Sequence, residues 1–117
     1  MSYMLLIVEP TDQRRSRSEA EGRAVYERML KYGADLKKRG LLIATESLKS
    51  QNDAVRLQVR GGRTQVIDGP FSEAKEMVGG FFLLDCKTRD EAVAIAAACP
   101  AAEWCTVEVR ALAPCYE

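Results

Sequence analysis

The chain has 117 residues, of which 47% are hydrophobic and 29% are charged, the proportions of an ordinary soluble globular protein. This length predicts a single domain, residues 1–117, with its own hydrophobic core. The 17 lysines and arginines balance 17 aspartates and glutamates, so the net charge gives no general attraction to nucleic acid or to a membrane.

The apolar run at residues 4–8 is too short to span a bilayer, and it lacks the basic flank and cleavage site of a signal peptide. We therefore expect a cytoplasmic protein. Four cysteines occur without a C-x-x-C pair and without any histidine: Cys86, Cys99, Cys105 and Cys115. Free thiols are expected rather than a zinc site, and the sequence calls for no metal and no other cofactor.

The first part of the chain predicts a strand, a helix and a second strand. Residues 3–8 are continuously apolar, which is typical of a strand buried on both faces. A helix is predicted over residues 19–39, with Ser18 as the N-cap and Gly40 in the C′ position. Its apolar residues follow the spacing of one helical face: Val25, Met29, Tyr32 and Leu36. The second strand is predicted at residues 41–47.

A hairpin follows. Residues 54–60 alternate between apolar and polar side chains, which predicts a strand with one solvated face. Gly61-Gly62 turns this strand into a return strand at residues 64–68.

The most informative stretch, residues 66–84, reads VIDGPFSEAKEMVGGFFLL. It predicts a turn at Asp68-Gly69-Pro70, followed by one short helical turn capped by Ser72. Gly79-Gly80 is expected to end that turn and to begin a strand over residues 80–85.

The last part predicts a helix from Thr88, or alternatively from Asp90, to about Cys99, where Pro100 stops it. Its apolar face comprises Ala92, Ile95, Ala96 and Cys99. A final strand is predicted at residues 104–112.

This element order indicates an α+β fold, a ferredoxin-like split βαβ sheet with an added β-hairpin. The two strands that are apolar on both sides, residues 4–8 and 81–84, are expected in the middle of the sheet. Two helices cover only one face, so the other face would leave a large apolar patch in water. We therefore predict a homodimer whose sheets pack together as a barrel-like pair.

Asp68 is the first candidate catalytic residue, as a general base or polar anchor at the mouth of a cleft. The alternative is a turn carboxylate that accepts hydrogen bonds from nearby backbone amides. Lys75 and Glu76 would converge with Asp68 as a charged triad, or else lie on a solvated surface.

Glu46, at the end of the second strand, is a candidate ligand-binding residue facing the same cleft. Gly69, Pro70 and Phe71 complete the candidate binding set, with Phe71 as an apolar wall. A basic cluster, Arg14, Arg15, Arg17 and Arg23, would hold a phosphate or an acidic partner, but a solvated loop is the favoured interpretation.

The segment DGPFSEAKEMVGGFFLL, the helix ending in C-P and the strand containing V-E-V-R resemble the DGPF-domain branch of the YCII-related (YciI-like) proteins, over nearly the whole chain. The resemblance implies a dimeric ferredoxin-like α/β barrel with a cleft between sheets and helices. It also implies a bacterial origin and, often, a gene beside an extracytoplasmic-function sigma factor. Catalytic relatives in the wider superfamily rely on a histidine–aspartate dyad, which a chain without histidine cannot supply.

The sequence is therefore compatible with two functions. The first is a cytosolic homodimer that binds a small organic ligand near residues 68–76, with acid/base chemistry of the lyase or isomerase type. The second is a non-catalytic regulatory protein partner in extracytoplasmic-function sigma-factor signalling. The first function requires the polar groups of residues 66–84 to face a cavity. In the second, the substitution Asp68→Ala would leave the function unchanged.

Overall fold

The computed structural model describes residues 2–117. Its main elements follow the predicted order: β1 Ser2–Pro10, α1 Glu19–Lys38, β2 Leu42–Ser47, β3 Val55–Arg60, β4 Arg63–Asp68, β5 Glu76–Asp85, α2 Arg89–Ala97 and β6 Thr106–Ala111. Short 3₁₀ turns lie in several of the connections.

Four strands form one antiparallel sheet in the order β2-β5-β1-β6, and β3 and β4 pair separately as a two-stranded hairpin. The two strands that are apolar on both sides, β1 and β5, occupy the centre, as predicted. The architecture is thus a ferredoxin-like α+β fold with an added hairpin.

The core lies between one face of the sheet and the two helices. Alternate residues of β1 and β5 are buried there, together with Leu36 of α1. The predicted apolar face of α2 is confirmed, because Ala92, Ile95, Ala96 and Cys99 are all buried.

The ends of α1 match the sequence signals. The Ser18 side chain accepts a hydrogen bond from the Glu21 backbone N–H, and the Glu21 carboxylate accepts one from the Ser18 N–H. This backbone hydrogen bond is the main reason why the pKa of Glu21 is lowered. Gly40 follows the helix with φ 72°, a left-handed conformation that favours glycine.

The short helical turn predicted after Ser72 is wrong. The chain makes a single turn there, closed by a hydrogen bond from the Ala74 N–H to the Phe71 carbonyl, and β5 begins at Glu76. One turn of helix gains too few hydrogen bonds to offset its nucleation cost, whereas residues 76–79 extend an existing sheet. Gly79-Gly80 consequently lies inside β5 instead of preceding it.

The second face of the sheet has no helix over it. Five of its apolar side chains are only partly buried: Met4, Leu6, Val8, Phe81 and Leu83. We call this set the open face. The expectation that residues 3–8 are buried on both sides is therefore not met within one chain, because alternate side chains of β1 point to this open face.

Candidate functional site

A cavity of about 480 Å³ lies between α1 and the helix-covered face of the sheet. Its walls are largely apolar, with α1 contributing Val25, Tyr26, Met29, Leu30 and Ala34. Ile7 and Phe82 line it from the sheet, and Trp104 from the segment that leads into β6. Its volume and lining are those of a small-molecule site.

Glu9 places a carboxylate in this apolar setting. It follows Tyr3, Leu5 and Ile7 on the inner side of β1, and it is only 7% exposed. Among residues 2–117 it is the one charged residue that is buried. A buried charge is costly unless it is paired and hydrogen-bonded.

Arg14, from the loop after β1, supplies that partner. Its Nε donates to Glu9 Oε2 at 3.0 Å and its Nη2 donates to Glu9 Oε1 at 2.7 Å, a bidentate pair. The same guanidinium donates from Nη1 to the Leu48 carbonyl at 2.7 Å and from Nη2 to the Gly79 carbonyl at 3.3 Å. Arg14 thereby ties the loop to β5 and to the end of β2.

Gly79 makes room for the pair. A Cβ atom at this position would lie 1.7 Å from Glu9 Oε1 and 2.8 Å from Arg14 Nη2, so any side chain here would displace the ion pair. The register of β1 with β5 shifts between Ile7 and Val8, where Gly79 is the extra residue of a bulge. Such bulges re-aim side chains, and here the carboxylate lies directly over the bare glycine.

The rim of the cavity carries further charges, namely Arg17, Lys37 and Glu46. The Arg17 guanidinium carbon lies 5.7 Å from the centre of the Trp104 ring, which fixes this cation beside the opening. Cys105 also lines the cavity, but burial raises the pKa of its thiol to about 11. A thiol that stays protonated at neutral pH is a poor nucleophile.

A second cavity, of about 600 Å³, lies between the base of the hairpin and the sheet. It is lined in part by Val8, Val78, Phe71 and Glu76. The Arg56 guanidinium carbon sits 3.8 Å from the centre of the buried Phe71 ring, so this side chain covers the aromatic face.

The predicted site residues are distributed over several places. Glu46 lines the first cavity, and Phe71 and Glu76 line the second. Asp68 and Lys75 are exposed and line neither of these two cavities. The structure does not bring Asp68, Lys75 and Glu76 together in either cavity, and their catalytic role stays a prediction.

Gly69 and Pro70 have an evident structural task. The Gly69 N–H donates to the Ala54 carbonyl at 2.8 Å, and the Gly69–Pro70 peptide bond is cis. A Cβ atom on Gly69 would lie 2.0 Å from the Gln51 carbonyl oxygen. The glycine thus permits a close backbone approach that closes the base of the hairpin, and a ligand-binding role for this turn remains a prediction.

Sequence reasoning missed Glu9 and misjudged Arg14, which is not merely part of a solvated loop. A usable signal was present for Glu9. The alternation of Tyr3, Leu5 and Ile7 continues to Glu9, which places a carboxylate on the buried side of the strand. No comparable periodicity identifies Arg14, because its loop has none.

The sheet order and the added hairpin place the chain among the ferredoxin-like α+β proteins. Within that class, a family model for the YCII-related domain matches residues 1–115, and the chain belongs to this family. Over 40 residues the chain is also 50% identical to an uncharacterized protein of Rhizobium meliloti (strain 1021). This match covers 34% of the chain and 32% of the relative, so the chain matches about a third of that protein's length. Within residues 2–117, the helices are all too short or too polar to cross a membrane.

Proposed function

We propose that this protein binds a small, largely apolar organic molecule in the cavity between α1 and the sheet, with the Glu9–Arg14 pair at its polar end. The observation that carries the proposal is a bidentate ion pair, 7% exposed at Glu9, in a cavity of about 480 Å³ with mostly apolar walls.

The stability of the fold does not by itself explain the Glu9–Arg14 ion pair. Replacing a buried ion pair by well-packed apolar residues is often neutral or stabilising. Here a bare glycine, a bulge and an arginine from the loop after β1 all hold one carboxylate in place. Such an arrangement is explained by a ligand that the carboxylate recognises.

The geometry favours recognition over proton abstraction. Each Glu9 oxygen accepts one hydrogen bond from Arg14, and a carboxylate oxygen has capacity for about two. The remaining capacity suits a hydroxyl or N–H group of the ligand. Because the guanidinium fixes the orientation of the carboxylate, Glu9 acts as an anchor for a ligand that the apolar walls enclose.

A thermal-shift screen with a library of small aromatic and aliphatic molecules tests the proposal. A ligand that binds only the folded protein at about 100 times its Kd raises stability by about 2.7 kcal/mol. Ala34→Trp places an indole on the cavity wall, whereas Ala24→Trp makes the same change at an exposed position of α1 outside the lining.

Compounds that stabilise the wild type and Ala24→Trp, but not Ala34→Trp, support the cavity as the binding site. The Glu9→Gln variant should still bind apolar compounds. Its preference for compounds that carry a hydroxyl or N–H group should be smaller than that of the wild type. Hits that stabilise both tryptophan variants equally would contradict the proposed site. With no hits at all, the regulatory protein-partner function becomes the better explanation.

We further propose that the chain is a homodimer that covers its open face. The helices occupy only one side of the four-stranded sheet, and the other side presents five partly exposed apolar side chains. A second copy packing sheet to sheet is the simplest cover. Sedimentation equilibrium at micromolar concentration tests this, with Leu83→Glu expected to favour the monomer and a monomeric wild type refuting it.

A further inference from the structure

The hairpin of β3 and β4, which we call the arm, is exposed on both faces along its whole length. Five of its apolar side chains are more than half exposed: Val55 at 57%, Leu57 at 62%, Val59 at 54%, Val66 at 58% and Ile67 at 52%. An isolated two-stranded hairpin is only marginally stable in water. The exposed apolar side chains of the arm are therefore expected to pack against another surface.

The cross-strand register sorts the arm into two different faces. Val55 lies opposite Asp68, Leu57 opposite Val66 and Val59 opposite Thr64, which places four of the five apolar side chains on one face together with Thr64 and Asp68. The other face carries Arg56, Gln58, Arg60, Arg63, Gln65 and Ile67. The apolar face presents four contiguous side chains that are each more than half exposed, and exposed apolar patches of more than a few hundred Å² mark interaction sites.

The arm's own protomer cannot readily cover this apolar face. Arg56 belongs to the polar face and packs over Phe71 of the same chain, so the apolar face is directed away from that contact. The Gly69 N–H hydrogen bond to Ala54 further fixes the base of the arm. Turning the apolar face inward would break both contacts.

The overall dimensions agree with a projecting arm. The chain measures 46 × 42 × 18 Å with a radius of gyration of 16.0 Å, whereas a compact domain of this length has about 13 Å. The molecule is a thin, wide slab with apolar surface on the open face and on the arm.

We propose that the apolar face of the arm packs against a second copy of this chain, along the border of the partner's open face. Both unpaired apolar surfaces belong to the same chain, so a two-fold axis that packs the two open faces together and lays each arm along the other sheet would bury both at once. A standard interface buries roughly 800 Å² per partner, so an interface that includes both surfaces comes closer to that size than the open face alone. This inference rests on the proposed homodimer and adds the element that stabilises it.

Leu57→Glu and Val66→Glu test the role of the apolar face, measured by sedimentation equilibrium of the full chain. Gln58→Glu and Gln65→Glu are matched controls, since they add the same charge to the neighbouring positions on the opposite face. We expect the dimer Kd to rise by about a hundred-fold or more in the first two variants. The controls should change it by less than about threefold, and far-UV circular dichroism should show unchanged secondary structure in all four.

A dimer that tolerates Leu57→Glu and Val66→Glu but dissociates on Leu83→Glu would overturn the role of the arm and leave the proposed homodimer standing. Equal weakening by the apolar-face and control variants would also overturn it, because general charge repulsion would then explain the effect. A monomeric wild type overturns both proposals. Sedimentation of that monomer with vesicles of phosphatidylcholine and phosphatidylglycerol would then identify a lipid surface as the occupant instead.

Discussion

Replacing Gly79 by alanine should be among the more damaging methyl additions to this protein. The new Cβ would lie 1.7 Å from Glu9 Oε1 and 2.8 Å from Arg14 Nη2. The carboxylate must therefore leave its position, and both of its hydrogen bonds to Arg14 are lost or distorted. Breaking a buried ion pair typically costs about 3–5 kcal/mol.

The Arg14 side chain is 35% exposed and regains water when the pair breaks, while that of Glu9 is only 9% exposed. We therefore expect a loss of about 2–4 kcal/mol in the free energy of unfolding. With an unfolding entropy of about 2.1 cal/mol/K per residue, the melting temperature should fall by about 8–16 °C. Urea denaturation and differential scanning calorimetry measure the two quantities independently.

Gly33→Ala is the matched control. Gly33 is also buried, but a Cβ atom there meets Phe82 at 3.6 Å, an ordinary van der Waals contact. Because Gly33 lies within α1, the alanine should stabilise the protein by up to about 1 kcal/mol.

A double-mutant cycle identifies the cause of the damage. In a Glu9→Ala background the carboxylate is absent, so Gly79→Ala should then cost less than about 1 kcal/mol. If Gly79→Ala costs the same in both backgrounds, or costs under 1 kcal/mol in the wild type, the proposed packing of the carboxylate on the glycine is wrong.

Three further outcomes are expected. Ser18→Ala removes the capping box of α1 and should lower the free energy of unfolding by about 1 kcal/mol in urea titrations, whereas no change would contradict the cap. Gly22→Ala should raise it by about 0.5–1 kcal/mol, because a Cβ there meets no atom within 4 Å. Burial raises the pKa of Cys105 from 9.0 to about 11, so the unfolded thiol loses its proton first. Stability should therefore decline as pH rises from about 9 to 11. Cys105→Ser should make that decline less steep, with the remainder due to Cys86, Cys99 and Tyr32, whose pKa values burial also raises. The same change at exposed Cys115 should leave the decline as it is; identical pH profiles for both variants would refute this assignment.

Much of the fold followed from periodicity and from the residues that end elements. The spacing of Val25, Met29, Tyr32 and Leu36 predicted α1, and Ser18 and Gly40 gave its two ends to within a residue. These signals are local, since each depends on residues within one or two turns. The unbroken apolar runs of β1 and β5 likewise predicted their central places in the sheet, because only central strands have neighbours on both edges and a core beside them.

Local signals failed where a distant partner decided the conformation. Ser72 resembles an N-cap, yet the chain forms only a turn after it and joins β5 from Glu76, where β1 offers a row of hydrogen-bonding partners. The unusual composition of the turn at residues 68–71 predicted a binding site there. Its glycine is explained by a close approach of the Gln51 and Ala54 carbonyls, which no reading of adjacent residues reveals.

The sequence by itself determined the two-layer fold and the turns at Gly40 and Gly61-Gly62, because those depend on side-chain alternation and on backbone conformations that few residues adopt. Only the tertiary structure decided the candidate site. Glu9, Arg14 and Gly79 come from a strand, a loop and a second strand, and nothing in their spacing along the chain links them. They meet because a bulge aligns a carboxylate with a bare glycine, and because a buried charge requires a guanidinium within hydrogen-bonding distance.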